Sequence, residues 1–262
     1  MKLRPCIDIH NGRVKQIVGS TLRDDAEPVT NFESAHSPAY FAGIYRKDHL
    51  SGGHVIMLGK GNETAATEAL QAFPGGLQIG GSITPENAGN FIDAGASHVI
   101  VTSYVFNGGK LHWEHLQEIS RTVGRERLVL DLSCKKRDDD YVIVTDRWQN
   151  ATEVLLSPEL FGRLGGYCDE FLVHAAHVEG KRSGVDTELV ALLHECDTRP
   201  ITYAGGVSSF EDLETVADAG GNRIDVTIGS ALSLFGGALD YDEVVAWFVR
   251  RRGDGEAVRR GD

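Results

Sequence analysis

Cysteine is scarce in this chain. There are four in 262 residues, Cys6, Cys134, Cys168 and Cys196, and none forms a Cys-x-x-Cys pair. That excludes a disulfide-built scaffold and points to a reducing compartment, the cytosol. Basic side chains are outnumbered too, 26 Lys and Arg against 38 Asp and Glu, for a formal net charge of -12. Such a chain repels nucleic acid and anionic membranes, so neither is expected as a partner, although basic side chains do cluster at Arg250-Arg251-Arg252. No apolar run approaches the roughly 18 residues of a membrane span, and Met1-Lys2-Leu3-Arg4 leads straight into a strand-like segment with no apolar leader. Also missing are a Gly-x-Gly-x-x-Gly after a strand, a Gly-x-x-x-x-Gly-Lys-Ser/Thr and a Gly-x-Ser-x-Gly. Dinucleotide redox, NTP hydrolysis and serine hydrolase chemistry therefore lose their usual signals, and no cofactor is expected.

Glycine, by contrast, is abundant at 31 residues, which suits many tight turns or close approaches of backbone to a ligand. Short runs rich in Val, Ile and Leu alternate with amphipathic stretches, the pattern of βα units around a parallel sheet. Eight strands are predicted, at residues 5–9, 54–58, 77–80, 98–102, 127–132, 170–174, 201–204 and 225–228. Ser37-Pro38, Thr84-Pro85 and Ser157-Pro158 each place a capping residue before a proline suited to a first helical turn, and Ser208-Ser209-Phe210-Glu211 reads as a capping box. Eight units of this size predict an α/β fold closed as a (β/α)8 TIM barrel rather than an open doubly wound sheet. The barrel is expected to fill residues 1–252 as a single domain, acting as a monomer, with a flexible tail at 253–262. Two segments exceed an ordinary loop, Arg13-Val14-Lys15-Gln16-Ile17-Val18 after the first strand and Tyr141-Val142-Ile143-Val144 after the fifth. An extra hairpin is expected at each, on the side where barrels build their sites.

The most informative feature is an internal repeat. Ile7-Asp8-Ile9 matches Leu130-Asp131-Leu132, Gly80-Gly81 matches Gly205-Gly206, Asp93-Ala94-Gly95 matches Asp218-Ala219-Gly220, and Thr102-Ser103 falls where Ile228-Gly229-Ser230 falls. Two similar half-barrels put strands one and five opposite each other, and with them Asp8 and Asp131 across one mouth. Opposed carboxylates suit a reaction that takes a proton from one atom and gives one to another, as an isomerase does. A lone strand-end Asp is more often a cap; the repeat argues against that here.

Gly80-Gly81-Ser82 and Gly205-Gly206-Val207 each follow a strand and precede a capped helix, where backbone N–H groups can receive a phosphate. Thr102-Ser103 and Gly229-Ser230 would complete the two cups, so a small-molecule bisphosphate is the ligand they imply. Arg13 or Lys15 could add a positive charge. His174-Ala175-Ala176-His177-Val178-Glu179 contains imidazole and carboxylate ligands, but His174 and His177 have opposite strand parity, so no metal site is expected. His174 hydrogen-bonding a substrate, Glu179 as an acid, and a merely packed histidine remain open.

The run from Cys6 to Gly19, CIDIHNGRVKQIVG, resembles the N-terminus of the phosphoribosylformimino-5-aminoimidazole carboxamide ribotide isomerases of histidine biosynthesis, particularly the fungal and plant branch. Leu77-Gln78-Ile79-Gly80-Gly81, Val129-Leu130-Asp131-Leu132-Ser133-Cys134, Val178-Glu179-Gly180, Tyr203-Ala204-Gly205-Gly206 and Phe235-Gly236-Gly237 are similar to the same branch, nearly as far as Trp247. The resemblance implies an Amadori rearrangement of an aminoaldose to an aminoketose without a cofactor. It implies Asp8 as the base at C2′ and Asp131 as a proton donor, with Glu179 at the position of a carboxylate sometimes assigned as the acid. Where the bacterial family has a Thr-Asp pair at the end of strand six, this chain has His174-Ala175. Three alternatives are the related cyclase of imidazole glycerol phosphate synthase, an isomerase of phosphoribosyl anthranilate, and a non-catalytic phosphosugar-binding barrel.

Overall fold

The computed structural model describes residues 1–18, 21, 29–146, 148–178, 184–196 and 199–259, with side chains in the last helix described up to Arg251. The strands are β1 (Cys6–His10), β2 (Arg13–Ile17), β3 (Thr30–Glu33), β4 (Gly53–Met57), β5 (Leu77–Gly80), β6 (Val99–Val101), β7 (Phe106–Asn107), β8 (Lys110–Leu111), β9 (Leu128–Asp131), β10 (Cys134–Arg137), β11 (Asp140–Thr145), β12 (Asn150–Leu155), β13 (Glu170–His174), β14 (Ile201–Ala204) and β15 (Asp225–Thr227). The helices are α1 (Pro38–Lys47), α2 (Glu63–Ala72), α3 (Pro85–Asp93), α4 (Trp113–Val123), α5 (Pro158–Leu164), α6 (Thr187–Glu195), α7 (Phe210–Ala219) and α8 (Tyr241–Arg259).

The eight apolar runs read from the sequence are β1, β4, β5, β6, β9, β13, β14 and β15, with ends shifted by at most one residue. They lie in one α/β sheet in the order β15-β14-β13-β9-β6-β5-β4-β1, each parallel to its neighbours. A further parallel bridge joins Leu3 to Val226, with Arg4 N–H donating to Val226 O at 2.9 Å and Val226 N–H to Lys2 O at 2.9 Å. β2 runs antiparallel to β1 and continues into β3, while β10, β11 and β12 form a separate antiparallel sheet.

Strand alternation divides the core. Val55, Val99, Leu130, Phe171, Val173 and Tyr203 pack with the helices, whereas their neighbours Ile100, Val129, Leu172 and Ala204 form a second, smaller cluster with Ile56. At the N-terminal end of the strands the same inner face turns polar. Arg4 pairs there with Asp225 at 2.8 Å and Glu170 at 3.4 Å, and Glu170 also accepts hydrogen bonds from Gln78 at 3.1 Å and Thr202 at 2.8 Å. Each buried charge thus has a partner, which is the condition for tolerating it there.

Helix starts follow their capping residues. Ser157 Oγ accepts from Leu160 N–H at 3.2 Å, and Asn87 Oδ1 accepts from Thr84 N–H at 2.9 Å. The capping box of α7 sits one residue later than the Ser-x-x-Glu spacing suggests. Ser209 accepts from Asp212 N–H at 3.1 Å and Asp212 accepts from Ser209 N–H at 3.0 Å, so the shorter carboxylate closes the box and Glu211 is outside it. The helical backbone of α8 runs through Gly253 and Gly255 to Arg259. Isolated glycines cost a helix only about 1 kcal/mol each, too little to end it. No described helix is long and apolar enough to cross a membrane.

Candidate active site

A cavity of about 1040 Å³ opens at the C-terminal ends of the parallel strands. Asp8, Asp131 and His174 reach it because each lies at or near the end of its strand, on the face opposite the buried apolar residues beside it. The expected cup residues Gly80, Gly81, Ser82, Thr102, Ser103, Gly205, Gly206, Gly229 and Ser230 line the same cavity. One space therefore contains both carboxylates and both glycine turns.

The glycine turns are built for backbone. Gly81 has φ +103° and a Cβ there would lie 2.3 Å from Met57 O; Gly206 has φ +77° and a Cβ would lie 2.0 Å from Gly184 O. Neither position admits a side chain. Ser82, next in the first turn, is itself left-handed at φ +55°, a local strain of the kind that collects at ligand-binding turns.

Around Asp131 the donors converge. Its Oδ1 accepts from Ser133 N–H and Ser133 Oγ, both at 2.8 Å, and lies 3.4 Å from His174 Nδ1. Burial by itself raises the Asp131 pKa; the charge of His174 and hydrogen bonds from His174, Ser133 and Thr102 outweigh it, so the carboxyl sits below its ordinary value. Thr102 thus directs its hydroxyl to Asp131, which leaves Ser103 and the backbone to shape that cup. His174 lies between two rings, His54 at 6.0 Å and Trp148 at 5.8 Å. Burial, with the charge of His174, pushes His54 down to about 3, so it is a neutral imidazole at physiological pH.

On the opposite wall, Asp8 Oδ2 accepts from Gln16 Nε2 at 2.8 Å. Gln16 was not singled out by the sequence, and neither were Trp148, His54, Ser133 or Lys60, all of which except Gln16 line the cavity. Ser133 had a local signal, since an Asp two residues before a Ser makes a side-chain turn. Arg13 and Lys15 do not bring charge to the cavity. Arg13 binds Glu33 at 3.0 Å and Lys15 binds it at 3.1 Å, because both stand on the same face of the β2–β3 ladder as Glu33. Lys60 is the one Lys or Arg among the described lining residues.

His177 also points elsewhere, its Nε2 lying 2.9 Å from Oδ2 of Asp186, the residue that caps α6. Among the described residues no group of three or more His, Cys, Asp and Glu is placed to hold a metal ion. Glu179 lies outside the described residues. All four cysteines are buried free thiols.

Fold and site together define an α/β protein of two similar halves, with two carboxylates and two glycine turns in one cavity at the strand ends. The chain belongs to the histidine biosynthesis protein family, whose model matches residues 2–239. Among its relatives is a 1-(5-phosphoribosyl)-5-((5-phosphoribosylamino)methylideneamino)imidazole-4-carboxamide isomerase of Medicago truncatula, named as chloroplastic, 55% identical over 259 residues that cover 96% of this chain and 83% of the relative. The isomerase of the same name from Neurospora crassa is 49% identical, covering 95% and 99% of the two chains. That from Saccharomyces cerevisiae is 42% identical, covering 92% and 96%.

Proposed function

We propose that the chain is the aldose–ketose isomerase of histidine biosynthesis, converting the phosphoribosylamino end of its relatives' substrate to the phosphoribulosyl isomer. The observation that carries this reading is the placement of Asp8 and Asp131, equivalent positions of the repeat, on the walls of a single cavity of about 1040 Å³ with both glycine turns. A pocket at the upper end of the usual ligand range suits a long substrate with a phosphate at each end. Gly80, Gly81, Ser82 and Ser103 receive one phosphate, with Thr102 behind them; Gly205, Gly206, Gly229 and Ser230 receive the other. Backbone N–H groups hold each anion without a cluster of basic side chains.

Catalysis begins with protonation of the ribose ring oxygen, which opens the aminoaldose to a Schiff base. Asp8 then removes the C2′ proton to give an enolamine; C1′ gains a proton, the C2′ hydroxyl loses its own, and the aminoketose results with no net change in composition. The proton for ring opening comes from the Asp131 side. Because Asp131 is held ionised, His174 beside it is the better-placed carrier, with Asp131 orienting the imidazole. Glu179 is the alternative acid, and comparing Glu179→Gln with His174→Gln separates the two.

We also infer that the eight parallel strands close into a barrel of two half-barrels, a reading supported by the Leu3–Val226 bridge, with the β2–β3 and β10–β12 insertions flanking its mouth. We further take the protein to be a monomer of the cytosol, a compartment that the free thiols support.

The test is turnover of the formimino aminoaldose bisphosphate by the purified protein without added metal, coupled to an authentic cyclase with ammonia so that only the ketose yields signal. Turnover abolished by Asp8→Asn is the expected result. No turnover by a protein that still binds the bisphosphate would overturn the reading in favour of a binding-only barrel. Ammonia-dependent imidazole formation from the ketose, without the added cyclase, would point to the cyclase.

A further inference from the structure

We propose that Gln16 is the positioning residue of the base: its side-chain amide fixes the Asp8 carboxylate and links it to the Gly229-Ser230 turn. The inference rests on Asp8 as the base.

β2 folds back antiparallel on the end of β1, with Ile9 paired to Val14 and His10 to Arg13. Alternation along β2 then turns Val14 and Gln16 inward while Arg13 and Lys15 face Glu33. Gln16 is only 4% exposed, an unusual place for a primary amide unless its polar atoms are used. They are. Nε2 donates to Asp8 Oδ2 at 2.8 Å and lies 3.9 Å from Cys6 Sγ, so the carboxylate acceptor fixes which end of the amide is nitrogen. Oε1 then faces Gly229, where a Cβ would come within 2.5 Å of it. A Cβ at Gly229 would have to displace the amide that holds the base, and a group seated on the Gly229-Ser230 backbone is one amide away from Asp8.

An apolar side chain of similar length would fill the same space, so packing alone does not call for an amide. A carboxylate base does. A hydrogen bond to the ionised form keeps Asp8 deprotonated and fixes its plane, whereas an unheld carboxylate would rotate and bind protons more readily as substrate excludes water. The other titratable groups around Asp8 are Cys6, His10, His54, Lys60, Tyr104, Asp131, Asp146 and His174 in the cavity, and Tyr45, whose hydroxyl donates to Cys6 O, behind β1. They are the same in any Gln16 variant, so a difference between profiles reports the amide.

The experiment measures kcat and KM across pH for wild type, Asp8→Asn, Gln16→Leu and the near-isosteric Gln16→Glu, with a thermal melt of each. Gln16→Leu is expected to lower kcat about ten-fold or more with little change in KM, and to move the acid limb of kcat/KM up by about one pH unit. Gln16→Glu moves that limb further up, because two adjacent carboxyls share a proton, and it decides the matter alone if the leucine variant does not fold. A Gln16→Leu or a folded Gln16→Glu enzyme with wild-type kcat and an unmoved acid limb overturns the role of Gln16 while leaving Asp8 as the base. Full activity in Asp8→Asn, or an inactive wild type, overturns both.

Discussion

The two halves of the chain repeat each other in backbone and part company in chemistry. Each half has two successive left-handed residues after its strand, Gly81 at φ +103° and Ser82 at +55° in one, Gly205 at +125° and Gly206 at +77° in the other, and in each turn a Cβ on a glycine would meet a carbonyl oxygen, Met57 O at Gly81 and Gly184 O at Gly206. Asp8 and Asp131 occupy the same strand-end position. Their surroundings differ: an amide from the antiparallel β2 meets Asp8, whereas Asp131 is gripped by Ser133 and His174. The repeat thus keeps the backbone turns, and residues outside it give the two carboxylates different surroundings.

The largest effect expected is at the carboxylates. Asp8→Asn and Asp131→Asn should each lower kcat by about 10²–10⁴-fold, the usual range for one acid or base, as steady-state rates will check. Their stabilities should respond differently to acid. A carboxyl with a lowered folded-state pKa contributes stability that is present above its unfolded-state pKa of about 4 and is lost as pH falls through the folded value. Wild type should therefore exceed Asp131→Asn in urea midpoint at pH 6, with the gap narrowing below pH 4. An unchanged gap would remove the electrostatic distinction drawn for Asp131.

Where the halves meet, Arg4 from the first binds Asp225 and Glu170 of the second. Arg4→Met leaves two buried carboxylates without their cation and should cost about 3–5 kcal/mol, measured by denaturant titration. Burial already raises the Glu170 pKa despite Arg4, so its proton uptake would soften the loss. A variant as stable as wild type would mean that the seam is held by backbone pairing alone.

The equivalence of the cups is tested by Gly81→Ala and Gly206→Ala. Each forces a Cβ against backbone at a positive φ, for an expected loss of about 1–3 kcal/mol and a rise in KM of about ten-fold. Gly12→Ala, at φ +73° with nothing within 4 Å of the added atom, separates conformational strain from the lost cup. A KM that rises in only one of the two cup variants would show that the substrate leans on one phosphate.

Strand positions, glycine turns and both aspartates were legible in the sequence because each is a local pattern: an apolar run, a doublet before a cap, a repeat. Gln16 and Trp148 were not. Gln16 sits inside a recognised alternating run, but which of its residues turn inward depends on β1, and a register shift beside it, between Gln16 and Ile17, breaks the parity that would place Ile17 on the other face. Trp148 stands 5.8 Å from His174 in a loop whose carbonyl accepts from Lys135 Nζ at 2.7 Å, contacts that no spacing encodes. The charges at Arg13 and Lys15 misled for a related reason. A cation next to a presumed phosphate site suggests a phosphate contact, but Glu33, paired across from β2, takes up both.

That correction yields the smallest expected effect. The Arg13 side chain is 64% exposed and its partner Glu33 41%, so solvent screens the pair, and surface pairs of this kind contribute little. Arg13→Ala should therefore change kcat/KM by less than about two-fold and, because no phosphate contact is lost, leave its dependence on salt as in wild type. Lys60, on the cavity wall, provides the contrast: Lys60→Ala should weaken substrate binding more at low salt than at high, as loss of a charge near an anion does. Reversal of the two salt responses would return the β2 cations to the site in place of Lys60.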